Sequence, residues 1–567
     1  MNDINTRKRA LARFRENPKV SVLIVGGGIN GAGLFRELAL QGVDVLLVDK
    51  WDFCAGASCA SSRMIHGGLR YLEFGEFRLV RESLKERNLL LQNAPHYVRP
   101  LPTTIPILAW FSGMGACMGK FLGIGIARPA HRGAAMVKAG LSLYDIFTRK
   151  GRLVPRHRFT SKRKALARRP ALTPNIVCTA TYYDAWISYP ERLCLELLLD
   201  GEALCEDATA LNYVSLQTGT GPSVSLRDML TGETFEVQPR VVVNATGAWI
   251  DFTNHALGNE TQLIGGTKGA HLVLDNDALL EALDGEMVYF ENDDGRVAVA
   301  LPWLGKVLLG STDIRIENPD EARCEEEEID YMLGAVREVI PNIKIDRSQI
   351  VSRFSGVRPL PYSDASATVQ ISRDHHCAVT EATKEIGFPV YSLIGGKWTT
   401  FRGFSEQVAD TLLDRLGAGR RACSEELAIG GGNAFPRTDM ERARWLTDMK
   451  TRANLAESRL NVLLERYGSR AEAVVEFIAD DNDRPLVNHP EYTQREIAFI
   501  LHHERVERLD DLVSRRTSIA LLGELTRELL DELAGIMATT RGWSGQEQQD
   551  EVVRAIALLK ERNGICL

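Results

Sequence analysis

The sequence predicts an α/β and α+β chain: a Rossmann-like dinucleotide-binding unit first, a mixed body after it, and an all-helical C-terminal domain. Three observations predict this. Residues 19 to about 100 alternate strand-like apolar runs with helical patterns, the texture of a βαβ unit. Residues from about 100 to 420 mix short strand patterns (240–244, 297–301, 307–309) with loops rich in Gly and Pro. Beyond Cys423 the strand patterns stop, and 441–467, 470–480, 494–504 and 518–537 read as amphipathic helices. The expected organisation is a basic extension (1–18), a mixed body (19–420) and a helical C-terminal domain (421–567). The stretch Gly430-Gly431-Gly432-Asn433 is expected as the linker. A length of 567 residues allows about three such units, at roughly 100–200 residues each.

The first unit carries the strongest local signal. Ser21–Val25 is a buried strand pattern, Gly26-Gly27-Gly28-Ile29-Asn30-Gly31 follows, and a helical pattern runs to Gln41. Gly42 ends that helix, and 43–48 forms a second strand pattern closed by Asp49. Each part has a physical task. Gly26 permits the tight turn, Gly28 lets a pyrophosphate approach the backbone, and Gly31 lets the helix pack on the strand. The helix N-terminus faces phosphates, and Asp49 falls about 20 residues on, where an acid accepts ribose hydroxyls. Dinucleotide binding follows. Two later segments favour FAD over NAD. One is the strand Arg240-Val-Val-Val-Asn-Ala-Thr-Gly247. The other is Tyr391-Ser-Leu-Ile-Gly-Gly-Lys-Trp-Thr-Thr400, opening a helix over 401–416 capped by Thr399 or Thr400.

Composition excludes other classes. A net charge of −7 argues against general nucleic-acid binding, which needs a positive surplus. The ten cysteines form no CxxC pair and no His/Cys zinc spacing, so neither a disulfide framework nor a metal is expected. The basic N-terminus lacks the apolar core of a signal peptide. The apolar stretch 104–127 contains Lys120 and five glycines, and reads as buried or membrane-associated, not spanning. Residues 149–169 carry ten Lys/Arg and no acid, which suits anionic lipid headgroups as well as a solvated loop. The N-terminus could add an amphipathic basic arm. The acidic run 325–328 reads as a solvated helix start.

With these segments in view the chain resembles the FAD-dependent glycerol-3-phosphate dehydrogenases, from about Val20 to Thr517. Its most specific stretches are Ala60-Ser-Ser-Arg-Met-Ile-His-Gly-Gly-Leu-Arg-Tyr-Leu-Glu73, Phe354-Ser-Gly-Val-Arg-Pro359, Gly395-Gly-Lys-Trp-Thr-Thr400, Asp510-Asp511 and Arg515-Arg516-Thr517. The resemblance implies a discontinuous FAD domain, an antiparallel-sheet substrate domain and a helical cap. It also implies oxidation of sn-glycerol 3-phosphate, with electrons passed to a membrane quinone, in a protein peripheral to the cytoplasmic side of the cell membrane. The quaternary state stays open, a homodimer included. FAD contacts implied by motif are Gly26, Gly28, Gly31, Asp49, Ser61, Ser62, Arg63, Ala245, Gly247, Lys397 and Thr399. Alcohol oxidation needs a base and a cation for the oxygen, which points to His66 and Arg358. A phosphate dianion needs several cations, and Arg70, Arg373 and Lys397 match the family's anion positions, with Tyr71 beside them. Arg63 stands where many members have Lys, and Ser188-Tyr-Pro-Glu-Arg192 replaces the usual Asp-Asp-Ala-Arg. The alternatives are a longer polyol phosphate as substrate, oxygen as acceptor, or a non-catalytic flavin-binding membrane protein.

Overall fold

The computed structural model describes residues 5–112, 132–149, 151–292, 296–363, 373–479 and 482–567. Its first sheet is built from strands far apart in sequence, because each is too short and too apolar to be covered by its neighbours in the chain. Lys19–Val25 pairs in parallel with Val45–Val48 on one side and with Thr234–Asn244 on the other. Thr209–Leu211 and Val390–Ile394 extend the parallel array outward, and His376–Thr380 closes one edge antiparallel. The helices Ile29–Leu40, Pro190–Leu204 and Phe401–Leu416 bury apolar side chains with this sheet in one core. The dinucleotide-binding unit is therefore assembled from four separated stretches of chain.

The second sheet has ten strands and is antiparallel except where Met287–Glu291 meets Val98–Ile107. Thr267–Leu274 lies next to the edge strand Ile350–Arg358, with Lys306–Gly310 on its other side. Thr104–Ile107 belong to a strand paired with Cys178–Ile187, while 113–127 lie outside the described residues. Among the described residues no helix is long and apolar enough to cross a membrane.

The C-terminal part is helical, with boundaries that differ from the sequence expectation. The span 441–467 divides into Asp439–Ala453 and Glu457–Tyr467, because Asn454 takes a left-handed conformation (φ 47°) that ends the first helix. The helix expected over 518–537 begins only at Arg527, where Thr526 accepts a hydrogen bond from Leu529 N–H. Gly545–Asn563 was not anticipated; its apolar stripe is narrow (Val552, Ala555, Leu559), and that stripe is what it buries. The glycines at 430–432 are no loose linker. The amides of Gly430 and Gly431 donate to Asp200 and Glu196, pinning the junction to the body.

Buried ion pairs join the two parts. Asp52 accepts from Arg515 (2.5 Å) and Arg516 (2.7 Å), while Arg192 makes a bidentate pair with Glu504 (2.7 and 2.9 Å). Burial opposes the Asp52 charge, yet Arg516 and Arg515 hold its carboxyl at about 2. Removing one partner of such a pair costs about 3–5 kcal/mol.

Three charged segments behave differently from the sequence expectation. The helix Asn5–Glu16 is packed, with Leu11 and Phe14 buried under the parallel sheet and Arg7 bonded to Asp228 (2.7 Å), so it is not a free membrane arm. In the basic segment, Arg158, Arg168 and Arg169 are bound by Glu286, while Arg156, Lys162, Arg163 and Lys164 stay exposed. In the acidic run, Glu328 is buried against Lys268 (2.8 Å) instead of solvated.

Candidate active site

Parallel strands leave a crevice beyond their carboxyl ends, and here it is a cavity of about 510 Å³ running from Val25 and Gly26 to Gly396 and Lys397. One end is made largely of backbone. Gly26 has φ 110°, open only to glycine without strain, and a Cβ there would stand 2.6 Å from the Ala245 carbonyl oxygen. A Cβ on Gly31 would stand 1.9 Å from the Gly26 carbonyl oxygen, so helix and strand touch through hydrogen alone. Gly28 caps the helix that opens onto the cavity. Asp49 accepts from the amides of Gly27 (2.7 Å) and Trp51 (2.9 Å), and burial raises its carboxyl to about 6. Among the described residues Asp49 is the sole acid on the lining; Ser61, Ser62, Ala245 and Gly247 complete this part of the wall.

The other end is cationic. His66, Tyr71, His271, Arg358, Arg373 and Lys397 come from distant segments and line one region. Arg358 donates to Asp313 (3.1 Å), Ser311 Oγ (3.0 Å) and the Thr312 carbonyl (3.2 Å), while Arg373 lies 3.7 Å from the same Asp313. Burial, with Arg373 nearby, lowers Arg358 to about 10. Lys397 donates to Ser83 Oγ (2.6 Å) and sits 4.5 Å from the Tyr71 ring centre; burial lowers it to about 7, against the pull of Glu82 and Glu76. Burial, then the charges of Lys397 and Arg373, drive His66 down to about 3. Two neutral imidazoles thus face a cluster of cations, the electrostatics of a site awaiting a small anion.

The second imidazole, His271, is the functional candidate that sequence reasoning missed. Its Nε2 lies 2.8 Å from Ser62 Oγ, its ring stacks on Phe354 at 5.2 Å, and burial, with Arg358 and Arg63, lowers it to about 3. A signal existed: Gly269 and His271 lie two apart on one strand, on the same face, and both reach the cavity.

Other expected residues are placed differently. Arg63 is fully buried away from the lining, paired with Glu191 (2.8 Å) and stacked over Trp303 (4.5 Å). Its departure from the usual Lys therefore comes with its own buried carboxylate. Thr399 is also off the lining; it accepts from the His66 amide and donates to the His66 carbonyl, both at 3.1 Å, so it positions the His66 segment. Gly31 serves packing, as expected. Arg373 pairs with Asp313, whereas its neighbour Asp374 is engaged by Arg78. The Arg70 side chain lies outside the described residues.

A dinucleotide fits what is present. The glycine turn gives close backbone approach, and Oδ1 of Asn30 and Nδ1 of His271 are buried on the lining without a hydrogen-bond partner among the described residues. Turn, acid and helix start together define the class of a dinucleotide-binding protein whose cavity has a cationic far end. Residues 21–391 match the FAD dependent oxidoreductase family and 422–548 the C-terminal domain of alpha-glycerophosphate oxidase. A glycerol-3-phosphate dehydrogenase of Synechocystis sp. is 33% identical, over 97% of this chain and 98% of that protein. The chain belongs to the FAD-dependent glycerol-3-phosphate dehydrogenase family, and its cofactor is FAD. The aerobic glycerol-3-phosphate dehydrogenase of Escherichia coli is 29% identical over 88% of this chain and 93% of its own length. The crystal structure of the Bacillus halodurans glycerol-3-phosphate dehydrogenase complexed with FAD shares the fold, with a TM-score of 0.76 at 22% identity, covering 99% of this chain and 98% of that one.

Proposed function

We propose that this chain oxidises sn-glycerol 3-phosphate at C2 to dihydroxyacetone phosphate and delivers the electrons to a membrane quinone. The observation that carries the reading is the convergence of Arg358, Arg373 and Lys397 beside two neutral histidines, at the end of the cavity opposite Asp49. Bound FAD supplies the two-electron acceptor for hydride at N5. Gly26, Gly28, Asp49, Ser61, Ser62, Ala245 and Gly247 hold the dinucleotide, with Gly31 keeping the turn closed. Lys397 and Arg373 bind the phosphate, joined by Arg70, and Tyr71 supports Lys397 through its ring face. Arg358 orients the C2 oxygen and stabilises charge that develops on it. His66 accepts the hydroxyl proton on a ring nitrogen. An arriving dianion offsets the surrounding cations and raises the imidazole from about 3 toward a useful basicity. His271, held by Ser62, shares the wall next to Arg358 and is the second candidate for that proton.

The test is anaerobic stopped-flow mixing of the holoenzyme with a panel of polyol phosphates. Glycerol 3-phosphate should bleach the flavin fastest. Faster bleaching by a tetritol phosphate moves the substrate to a longer polyol, and no bleaching by any member sinks the enzyme reading. Hydrogen peroxide production with and without a quinone separates oxygen from quinone as acceptor.

The membrane part rests on exposed apolar residues that precede exposed basic ones in the sequence. Trp110, Phe111 and Ile146 are 55%, 74% and 64% exposed, and Arg156 and Lys162 to Lys164 follow in sequence. Flotation on anionic liposomes should succeed and weaken with salt. Association that ignores salt would point to apolar insertion instead.

A further inference from the structure

Behind the loop that carries Asp49 lies a second cavity, of about 280 Å³, between the body and the C-terminal helices. It shares Trp51, Gly56, Ala57, Ala60, Trp249 and Gly356 with the dinucleotide cavity, so one wall faces both.

Each carboxylate on its lining already has a cation. Asp52 is held by Arg515 and Arg516, Asp510 by Arg515 and Arg554, Glu191 by Arg63, and Asp320 lies 3.5 Å from Lys50. Arg323 is likewise taken, by Glu561. Arg562, near the end of the last helix, is different. Among the described residues it has no carboxylate partner, its Nε is buried without a hydrogen bond, and its guanidinium rests 5.1 Å from the Trp51 ring centre. Two hydroxyls on the same lining, Ser355 and Ser514, are also buried without a partner among the described residues, as is Oε1 of Glu191. Ser514 belongs to the π-helical turn Leu512–Arg516, an irregularity found frequently at functional sites.

Leaving these groups unmatched is costly. A half-buried guanidinium whose neighbouring carboxylate Glu561 is already taken by Arg323, and buried hydroxyls without partners among the described residues, all gain from one ligand that supplies what they lack. A guanidinium fork with two hydroxyl donors matches a tetrahedral oxyanion, and Glu191 Oε1 is free to accept from a ligand hydroxyl. We propose that this cavity is a second anion site, taking a phosphate group, free or as the monoester of a small polyol. The shared wall couples it to the dinucleotide site, and that coupling is reciprocal: occupancy on one side changes affinity on the other.

The experiment follows thermal unfolding of the FAD-loaded full chain against inorganic phosphate and against glycerol 2-phosphate, with sodium chloride at matched ionic strength as reference. No substrate is used, so the outcome is independent of the reaction. R373A removes a cation of the active-site region, and its phosphate-dependent rise in Tm should persist. In R562Q the apparent Kd, read from the concentration dependence of Tm, should rise at least ~10-fold. S514A should weaken binding by roughly 3-fold, and it carries the test if R562Q does not fold. Tighter binding of glycerol 2-phosphate than of phosphate assigns the ester; equal binding assigns the free ion. No rise in R373A beyond that of chloride, or unchanged affinity in the arginine and serine variants that fold, overturns the site.

Discussion

The two ends of the main cavity are built by opposite means. The dinucleotide end is made of backbone: a glycine turn, a helix start and one carboxylate, most of it within the contiguous residues 26–49. The cationic end is made of long side chains brought from positions 66, 71, 271, 358, 373 and 397. Backbone sites tolerate no added atom, while side-chain sites tolerate substitution structurally and lose chemistry. Substitutions at the two ends should therefore fail differently, one by losing cofactor and the other by losing rate.

The largest effect is expected at the backbone end. Gly31→Ala places a methyl 1.9 Å from a carbonyl oxygen, and relieving it must displace the helix from the strand. We expect a loss of at least ~3 kcal/mol in stability and a protein purified with little flavin absorbance. Full flavin content in this variant would break the contrast between the two ends.

Arg358→Ala should show the reverse pattern. Flavin content stays near wild type, while the rate of flavin reduction falls by roughly 100- to 1,000-fold, the scale of losing one preorganised donor to a developing charge. Arg358→Lys should recover little, since the fork that reaches Asp313, Ser311 and Thr312 together is lost.

Lys397 sharpens the comparison through pH. Its ammonium titrates at about 7 in the empty site, and a phosphate dianion favours the protonated form. Above pH 7 binding must therefore take up a proton, and the substrate Kd from flavin bleaching should rise by up to ~10-fold per pH unit. Lys397→Met should bind more weakly at neutral pH, with a flatter profile.

His66 and His271 add a smaller dependence on the acid side. Both stay neutral in the fold down to about 3, whereas an unfolded chain protonates them near 6.5. The unfolded state thus binds more protons between those values, so stability falls as pH drops from 6.5 toward 3. Tm measured across that range should decline less steeply in His271→Gln than in wild type; equal slopes would remove His271 from the account. Thr399→Val is the smallest change, about 1 kcal/mol from the two bonds to His66. It should lower the rate of flavin reduction without lowering flavin content.

What could be read from the sequence follows the same division. The turn at 26–31 and the acid at 49 were legible because their geometry is set by neighbours in the chain: strand, glycines, helix, strand. His66, Arg358, Arg373 and Lys397 were reached through resemblance, and their convergence on one region depended on two sheets meeting. Arg63 lay within a specific motif, yet the fold turned it to Glu191 and Trp303, because a buried guanidinium goes where a carboxylate and an aromatic face await it. His271 went unmarked because a histidine in a strand that also carries Thr267 and Lys268 has no meaning until its face is known.

The sequence by itself determined the dinucleotide turn, the helical C-terminal part and the family, since short-range periodicity and contiguous motifs carry these. Only the tertiary structure decided which side chains share a cavity, that the N-terminal helix is packed, and that Arg562 makes no ion pair among the described residues. The reason is physical. Burial and pairing of charge depend on what lies across a few ångströms of space, and residues that meet there stand tens to hundreds of positions apart along the chain.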